Sequence, residues 1–410
     1  MRAGEPQDTE NGRAGEPGSG PTGYRARMTL APLNVLAVEP WLGGSHARFL
    51  QTWRRLSGHK VEILGLPARH WQWRMEAAAF TLAQRVSQGG KTPDVIVASD
   101  YVDLPRLRGF LPPHLRSTPV LLYLHENQLT YPDQDPDPDR NHYGFTNVLS
   151  CLAADAIAFN SHFHRQDFHA AARTLLQRLP SPAPRKEFDA VMENAQVIYP
   201  GIDLDALPLG AGPPPDSPLR VAFNHRWEHD KDPIGFLDAV LETRDAGAQI
   251  EVVMLGESFQ RTPDGMTGRL ERLGSALLWS GFKPDQAEYA STLGGCDLVV
   301  STARHEFYGI ALLEGLACGC SPLAPDRLAY PEHLPKEDLY ADHADLCAAL
   351  THAAGQVSMW RSSDLRVSRR ELAQSHAAEQ TALQLDAACE ALRVMPRDRQ
   401  VALASPSGGP

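Results

Sequence analysis

Short apolar runs alternate with amphipathic stretches along most of this chain. Residues 33–38, 61–66, 94–99, 119–124, 156–160 and 196–199 are rich in Val, Ile, Leu and Ala, with few polar interruptions. Runs of that length and character predict strands of a parallel sheet covered on both faces. Between them apolar residues recur at helical spacing. Phe49, Leu50, Trp53 and Leu56 do so after a Gly43-Gly44 turn, and the pattern returns over 71–86, 104–110, 143–154 and 161–179. Strand alternating with helix predicts an α/β unit.

A Pro- and Gly-rich stretch, 208–218, interrupts the pattern and reads as a hinge. A second series follows, with strands expected over 219–223, 250–255, 277–280, 298–300 and 321–324. Helices are expected over 233–242, 265–273 and 284–293, from Tyr308-Gly309 onward, over 342–354, and along one amphipathic run, 365–392. The chain reads as two doubly wound, Rossmann-like domains, 31–207 and 219–394, the second carrying the C-terminal helices. A cleft between them would be walled by strand carboxyl ends, where ligands of such folds bind. Residues 1–30, with Arg-Ala-Gly-Glu-Pro at both Arg2 and Arg13, and residues 395–410 read as a disordered extension and tail.

Composition narrows the function. The chain has 410 residues, 42% hydrophobic and 22% charged, which is the balance of an ordinary globular protein. A net charge of −11 leaves only a local basic patch as a route to nucleic acid. No apolar run approaches the ~20 residues of a membrane span, so no membrane association is expected. The six cysteines show no Cys-x-x-Cys spacing, and buried thiols in a reducing cytoplasm are the expectation.

Four strand ends carry candidate chemistry. Glu39-Pro40-Trp41-Leu42-Gly43-Gly44-Ser45-His46 joins a strand to a helix through glycines that allow a ligand close to free helix amides. His125-Glu126-Asn127-Gln128-Leu129-Thr130-Tyr131-Pro132 leaves the strongest strand and runs into an acid- and proline-rich loop, 133–139. Glu126 and Asp133 are candidate general bases there, and His125 and His46 are either ligand contacts or structural histidines. In Asn224-His225-Arg226-Trp227-Glu228-His229-Asp230-Lys231, the Arg226 fork and the Lys231 point charge suit a diphosphate, or pair with Glu228, Asp230 or Asp232. Glu306 and Glu314 flank a helix N-terminus, an arrangement suited to a ligand that is part phosphate and part sugar; taken alone, both are also ordinary helix charges. Asp133, Asp135, Asp137 and Asp139 are stiffened by prolines, and His162 and His164 face different ways on a helix, so neither group reads as a metal site. Arg54, Arg55, Arg69 and Arg74 interleave with Trp53, Trp71 and Trp73, a patch suited to RNA unless the tryptophans are core.

Arg226 with Lys231, the Glu306/Glu314 pair with Gly309, and Tyr199-Pro200-Gly201-Ile202-Asp203 together resemble the retaining GT-B glycosyltransferase superfamily. The motifs at 39–46, 125–132, 143–147, 224–228 and 327–332 are more narrowly similar to the tRNA-queuosine mannosyltransferase family. Phe307-Tyr308 stands where that family's pattern has Asn-Phe, and the insert at 135–139 is peculiar to this chain. The resemblance implies a GT-B fold and transfer of mannose from GDP-mannose to queuosine in a tRNA anticodon, with retention and without metal or cofactor. It implies catalytic roles for His125, Glu306, Arg226 and Lys231. The donor would be held by Gly43, Gly44, Ser45, His46, Asn224, Arg226, Lys231, Glu306, Phe307, Tyr308, Gly309, Ile310 and Glu314, and the acceptor by Glu126, Asn127, Gln128, Tyr131, Tyr143 and Asn147. A transferase using another sugar nucleotide or a small or lipid acceptor, and a non-catalytic nucleotide- or RNA-binding module, are the competing readings. The oligomeric state is not fixed by sequence.

Overall fold

The computed structural model describes residues 31–90, 92–131, 140–257 and 262–394. Two six-stranded sheets, every pairing parallel, account for the alternating pattern. The first contains β1 (Asn34–Leu42), β2 (Lys60–Pro67), β3 (Val95–Ser99), β4 (Val120–Leu124), β5 (Ala156–Phe159) and β6 (Gln196–Val197). Its helices are α1 (Gly44–Leu56), α2 (Trp71–Gln88), α3 (Leu104–Phe110), α4 (Arg140–Ala153), α5 (His162–Arg178) and α6 (Arg185–Glu193). The second sheet contains β7 (Leu219–Phe223), β8 (Ile250–Leu255), β9 (Leu277–Gly281), β10 (Leu298–Val300), β11 (Ser321–Pro325) and β12 (Leu339–Tyr340). Helices α7 (Pro233–Asp245), α8 (Met266–Leu273), α9 (Gln286–Gly294), α10 (Ile310–Ala317) and α11 (Tyr330–His333) alternate with them. Then come α12 (His343–Gly355), α13 (Val357–Trp360), α14 (Ser363–Gln374) and α15 (Ala378–Val394).

Strand order fixes where a ligand can sit. The first sheet runs β2-β1-β3-β4-β5-β6 and the second β12-β11-β10-β7-β8-β9. Chain direction across the sheet reverses between β1 and β3 in one and between β7 and β10 in the other, and such switch points open a crevice at the strand carboxyl ends. The loops after β7 and β10, which carry Arg226, Lys231 and Glu306, are therefore neighbours although some 75 residues separate Lys231 from Glu306.

Three expectations need correction. The run 365–392 is two helices, because the backbone of Ile202 inserts at the break: its N–H donates to the His376 carbonyl and its carbonyl accepts from Ala378 N–H. Past that break α15 leaves the second sheet. Its Ala382, Leu385, Ala388, Cys389 and Leu392 pack with Val35, Trp53, Val97 and Tyr123, so α15 completes the core of the first sheet. The presumed hinge is also fastened down. Gly210 lies so close to the Gly294 backbone that a Cβ would fall within 2.4 Å of it. The Arg361 guanidinium donates to the carbonyls of Pro214, Pro215, Ser217 and Pro218, and to buried Asp297.

Helix α6 and strand β12 were not expected. The whole buried face of α6 is Phe188 and Met192, four residues apart, too little to show a period. The expectations for residues 1–30, 133–139 and 395–410 fall outside the described residues. No described helix is long and apolar enough to cross a membrane.

The return of α15 rests on Asp386, which accepts from Trp53 Nε1 at 2.9 Å, Ser57 Oγ at 2.6 Å and Gly58 N–H at 2.8 Å. Asp386→Ala leaves the Trp53 N–H without its partner inside the core. Urea denaturation should show a loss of about 1–3 kcal/mol, whereas a helix lying loosely on the surface would show almost none.

Candidate active site

Lys231 ends a short 3-10 turn, His229–Lys231, and Asp232 follows in the left-handed region at φ 51°. Aspartate tolerates that conformation by bonding locally. Its carboxylate caps α7 by accepting Gly235 N–H at 3.1 Å, and it also takes Arg304 Nε at 3.0 Å. The Thr302 hydroxyl donates to the Asp232 carbonyl at 2.8 Å, and Arg304 N–H donates to the Asp230 carbonyl at 2.8 Å. The loops after β7 and β10 are thus zipped together.

Lys231 is the hub. Its Nζ lies 3.1 Å from Glu306 Oε2, 3.1 Å from Asp230 Oδ2 and 2.9 Å from the His305 carbonyl. Burial disfavours its charge, but Glu306 and Asp230 outweigh that and push the ammonium above its ordinary range. Burial likewise opposes the Glu306 charge, yet Lys231 draws it down to about 2. Asp230 is lowered, burial again overcome by Lys231 and Arg226. His225 is held neutral, at about 4, by burial and by Lys231. Arg226 completes the group, 3.6 Å from Asp230 Oδ2 and 3.3 Å from the Tyr131 hydroxyl, which donates to Asp230 at 3.3 Å.

Glu314, inside α10, belongs to an adjoining cluster. It accepts from the Tyr289 hydroxyl at 2.5 Å and from Arg48 of α1 at 3.2 Å. Asn224 Nδ2 reaches both Tyr289 and the Ala311 carbonyl. The N-terminal halves of α1 and α10 therefore meet across a cleft of about 160 Å³ lined by Arg48, Phe49, Gly201, Ile202, Ile310 and Glu314. Gly309 caps α10 at φ 94°, where a Cβ would press on the Tyr330 ring at 3.0 Å. Asn224 Oδ1 and His225 Nε2 are buried without a protein partner. Buried polar atoms left unpaired beside a charged cluster are what a polar ligand would satisfy.

On the opposite wall, Glu39 is buried and accepts three hydrogen bonds. They come from Trp41 N–H at 2.8 Å, the Ser99 hydroxyl at 2.9 Å and His46 Nδ1 at 3.0 Å. Burial works against a charged His46, but the Glu39 carboxylate, with Asp100 and Glu126 behind it, raises its pKa to about 9. The His125 ring lies 4.1 Å from that of His46, and burial plus the His46 charge hold it neutral. Glu39, His46 and His125 are close enough to share a cation; as they stand, Glu39 and His46 form a buried ion pair. Gly44, at φ 53°, has nothing within 4 Å of where a Cβ would stand, while Gly43 is extended and pressed on Ala68. Ser45 is exposed at the start of α1.

Several expected contacts are scaffolding instead. Phe307 and Tyr308 are 5% and 3% exposed. Phe307 stacks on His164 at 4.0 Å, and Tyr308 packs among Tyr199, His333 and His376, offering only its N–H to Glu306. Buried Asn127 binds the N–H groups of Leu129 and Thr130, and buried Asn147 pins Gln128 N–H and the Asp100 carbonyl. Gln128 holds Glu126, which also accepts from Tyr101 at 2.5 Å. That leaves Glu126, Tyr131 and Tyr143 as the partly exposed members of the expected acceptor set. Trp53 is core, which removes it from the expected RNA patch, and half-exposed Arg55 pairs with Asp203. Arg48 and Tyr289 were missed, since neither stands in a spaced motif; Asp230 was named only as a pairing partner of Arg226 and Lys231, and Glu39 only as part of its motif.

A family model for the N-terminal part of tRNA-queuosine alpha-mannosyltransferase matches residues 34–202, and one for glycosyl transferases group 1 matches residues 211–338. A tRNA-queuosine alpha-mannosyltransferase of Drosophila melanogaster is 35% identical over 322 residues, 76% of this chain and 85% of that protein. A GDP-mannose-dependent phosphatidylinositol dimannoside mannosyltransferase of Mycobacterium tuberculosis is 25% identical over 213 residues, 51% of this chain and 50% of that one. Among solved structures, Anabaena HepE in complex with UDP and glucose superposes with a TM-score of 0.63 at 15% identity, covering 88% of this chain and 100% of that one. A sucrose-phosphate synthase from Thermosynechococcus elongatus gives 0.63 at 15% identity, over 91% and 100%. With its two parallel sheets and this kinship, the chain is a glycosyltransferase of GT-B fold and belongs to the tRNA-queuosine alpha-mannosyltransferase family.

Proposed function

We propose that this enzyme transfers mannose from GDP-mannose to queuosine in a tRNA anticodon, retaining the anomeric configuration. The observation that carries the chemistry is the desolvated Lys231, held between Glu306 and Asp230 with Arg226 alongside. As the sugar C1–oxygen bond breaks, charge accumulates on the leaving diphosphate. Lys231 and Arg226 would stabilise it, Lys231 by exchanging one of its three present acceptors for a diphosphate oxygen. The acceptor hydroxyl attacks C1 on the face the diphosphate leaves, and its proton passes to the departing phosphate oxygen. Glu306, ionised throughout the working range, accepts hydroxyl hydrogen bonds from the sugar, and Glu314 does the same for the ribose. The donor's identity is supported by the GDP-mannose-dependent Mycobacterium relative, and the acceptor by the Drosophila relative's name. Arg226 and Lys231 supply the positive charge that a metal would otherwise bring, so we propose no metal or cofactor for this step.

For the acceptor, α2 presents half-buried Trp71 and exposed Trp73 beside Arg69, Arg74 and Arg85, whose guanidiniums repel one another. Arranged this way, planar rings and cations suit splayed bases and phosphates. A tRNA substrate would place the enzyme in the cytoplasm.

Incubation with GDP-mannose and queuosine-containing tRNA, followed by digestion and mass spectrometry, should show queuosine heavier by one hexose. Glu306→Ala should lower kcat about 10²-fold. A gain from UDP-glucose but not GDP-mannose would overturn the donor assignment, and no gain from either would overturn the acceptor.

His46 has its Nδ1 on Glu39, so Nε2 is the nitrogen left to donate to donor oxygens while the ring is protonated. Because its pKa is raised, that donor is present at neutral pH and lost as pH rises through about 9. Wild-type kcat/KM should fall through that region. In Glu39→Gln, with Asp100, Glu126 and His125 unchanged around the ring, the fall should move down toward about 6.5. An unmoved alkaline limb would show that a group other than His46 sets it.

A further inference from the structure

A second cluster of titratable groups lies outside the transferase site, between α7 and α12. Glu242 stands in the last turn of α7; His343 opens α12, and Cys347 follows one turn later on the same face. Three atoms converge there. His343 Nε2 is 2.9 Å from Glu242 Oε2, and Cys347 Sγ is 3.6 Å from His343 Nε2 and 3.8 Å from Glu242 Oε2. All three side chains reach the surface in part, so an ion could enter and keep a water as its fourth ligand.

From these atoms we propose that Glu242, His343 and Cys347 form a binding site for a borderline divalent ion of the zinc class. Zinc bonds of about 2.0–2.1 Å to nitrogen and oxygen and about 2.3 Å to sulfur, at tetrahedral angles, put N and O about 3.3 Å apart and S about 3.6 Å from each. The observed triangle differs from that by no more than about 0.4 Å on any edge, so the ion fits without moving a helix. The ligand set itself is selective: a thiolate with an imidazole and one carboxylate suits zinc and disfavours magnesium or calcium. Without an ion, the shortest edge is a His343–Glu242 ion pair, and the thiol also lies 3.8 Å from the Ala239 carbonyl of α7; binding would exchange that weak contact for a metal–sulfur bond.

The ion would act as a cross-link. Inside the site α7 and α12 already share apolar contacts through Phe236, Val240, Leu346 and Leu350, and metal bonds would tie their solvent edges. Helix α7 begins directly after Lys231 and Asp232 and ends at this cluster. The bound ion would therefore steady the helix that follows the Lys231 loop, without taking part in the transfer.

The test uses the full-length, reduced, metal-free protein. Zinc titration by calorimetry should show one equivalent bound, and cobalt should give a thiolate-to-metal absorption band. Zinc should raise Tm by about 2–4 °C, an effect reversed by EDTA, while sugar transfer at 25 °C is unchanged by either. Cys347→Ser should abolish the cobalt band, and His343→Ala should weaken zinc binding about tenfold or more. Absence of saturable uptake would overturn the proposal. So would uptake that persists undiminished in both variants, since the ion would then reside on other histidines or cysteines.

Discussion

Lys231 is a cation with almost no water, and the second half of the molecule is arranged around keeping it charged. A buried ammonium without partners would shed its proton. Here two carboxylates and a carbonyl enclose it, one carboxylate from its own loop and one from the loop after β10. That enclosure needs the β7 and β10 loops side by side, which the strand order provides, and needs Asp232 in a left-handed turn, which its own hydrogen bonds sustain. The charges are therefore set before any ligand arrives, but all three Lys231 N–H donors are already taken, so an anionic ligand would have to draw one of them away from its present acceptor.

The same logic joins the two sheets. Tyr131 of the first half donates to Asp230, Arg48 binds Glu314, and Glu332 of α11 accepts the first N–H groups of α5 at His162 and Phe163. Polar links of this kind are strong only while both partners are held in place, and α15 supplies the holding by returning to the first sheet through Asp386 and the Leu385 face. Two walls of a cleft are thereby kept at contact distance by a helix remote from it in sequence.

Both sheets were legible in the sequence because buried parallel strands leave continuous apolar runs, and the hinge-like 208–218 marked the change of sheet. Less legible was anything settled by packing partners rather than by period. The α14–α15 break depends on Ile202, 175 residues before Ala377, and no local signal announces it. Arg226, Lys231 and Glu306 could be singled out because they stand at strand ends in spaced motifs. Asn127, Asn147, Phe307 and Tyr308 stood in the same motifs, yet their side chains turned inward. A motif records which residues surround a site; whether each faces the ligand or supports its neighbour is decided by burial.

The central claim is that Lys231 is the donor's principal anchor. Titration calorimetry of GDP-mannose against the folded wild type and Lys231→Met tests it most directly. Loss of a charge-assisted contact to the diphosphate should weaken binding about 10–100-fold. Equal affinity in the two proteins would contradict the account, leaving Lys231 as a structural counter-ion for Glu306 and Asp230.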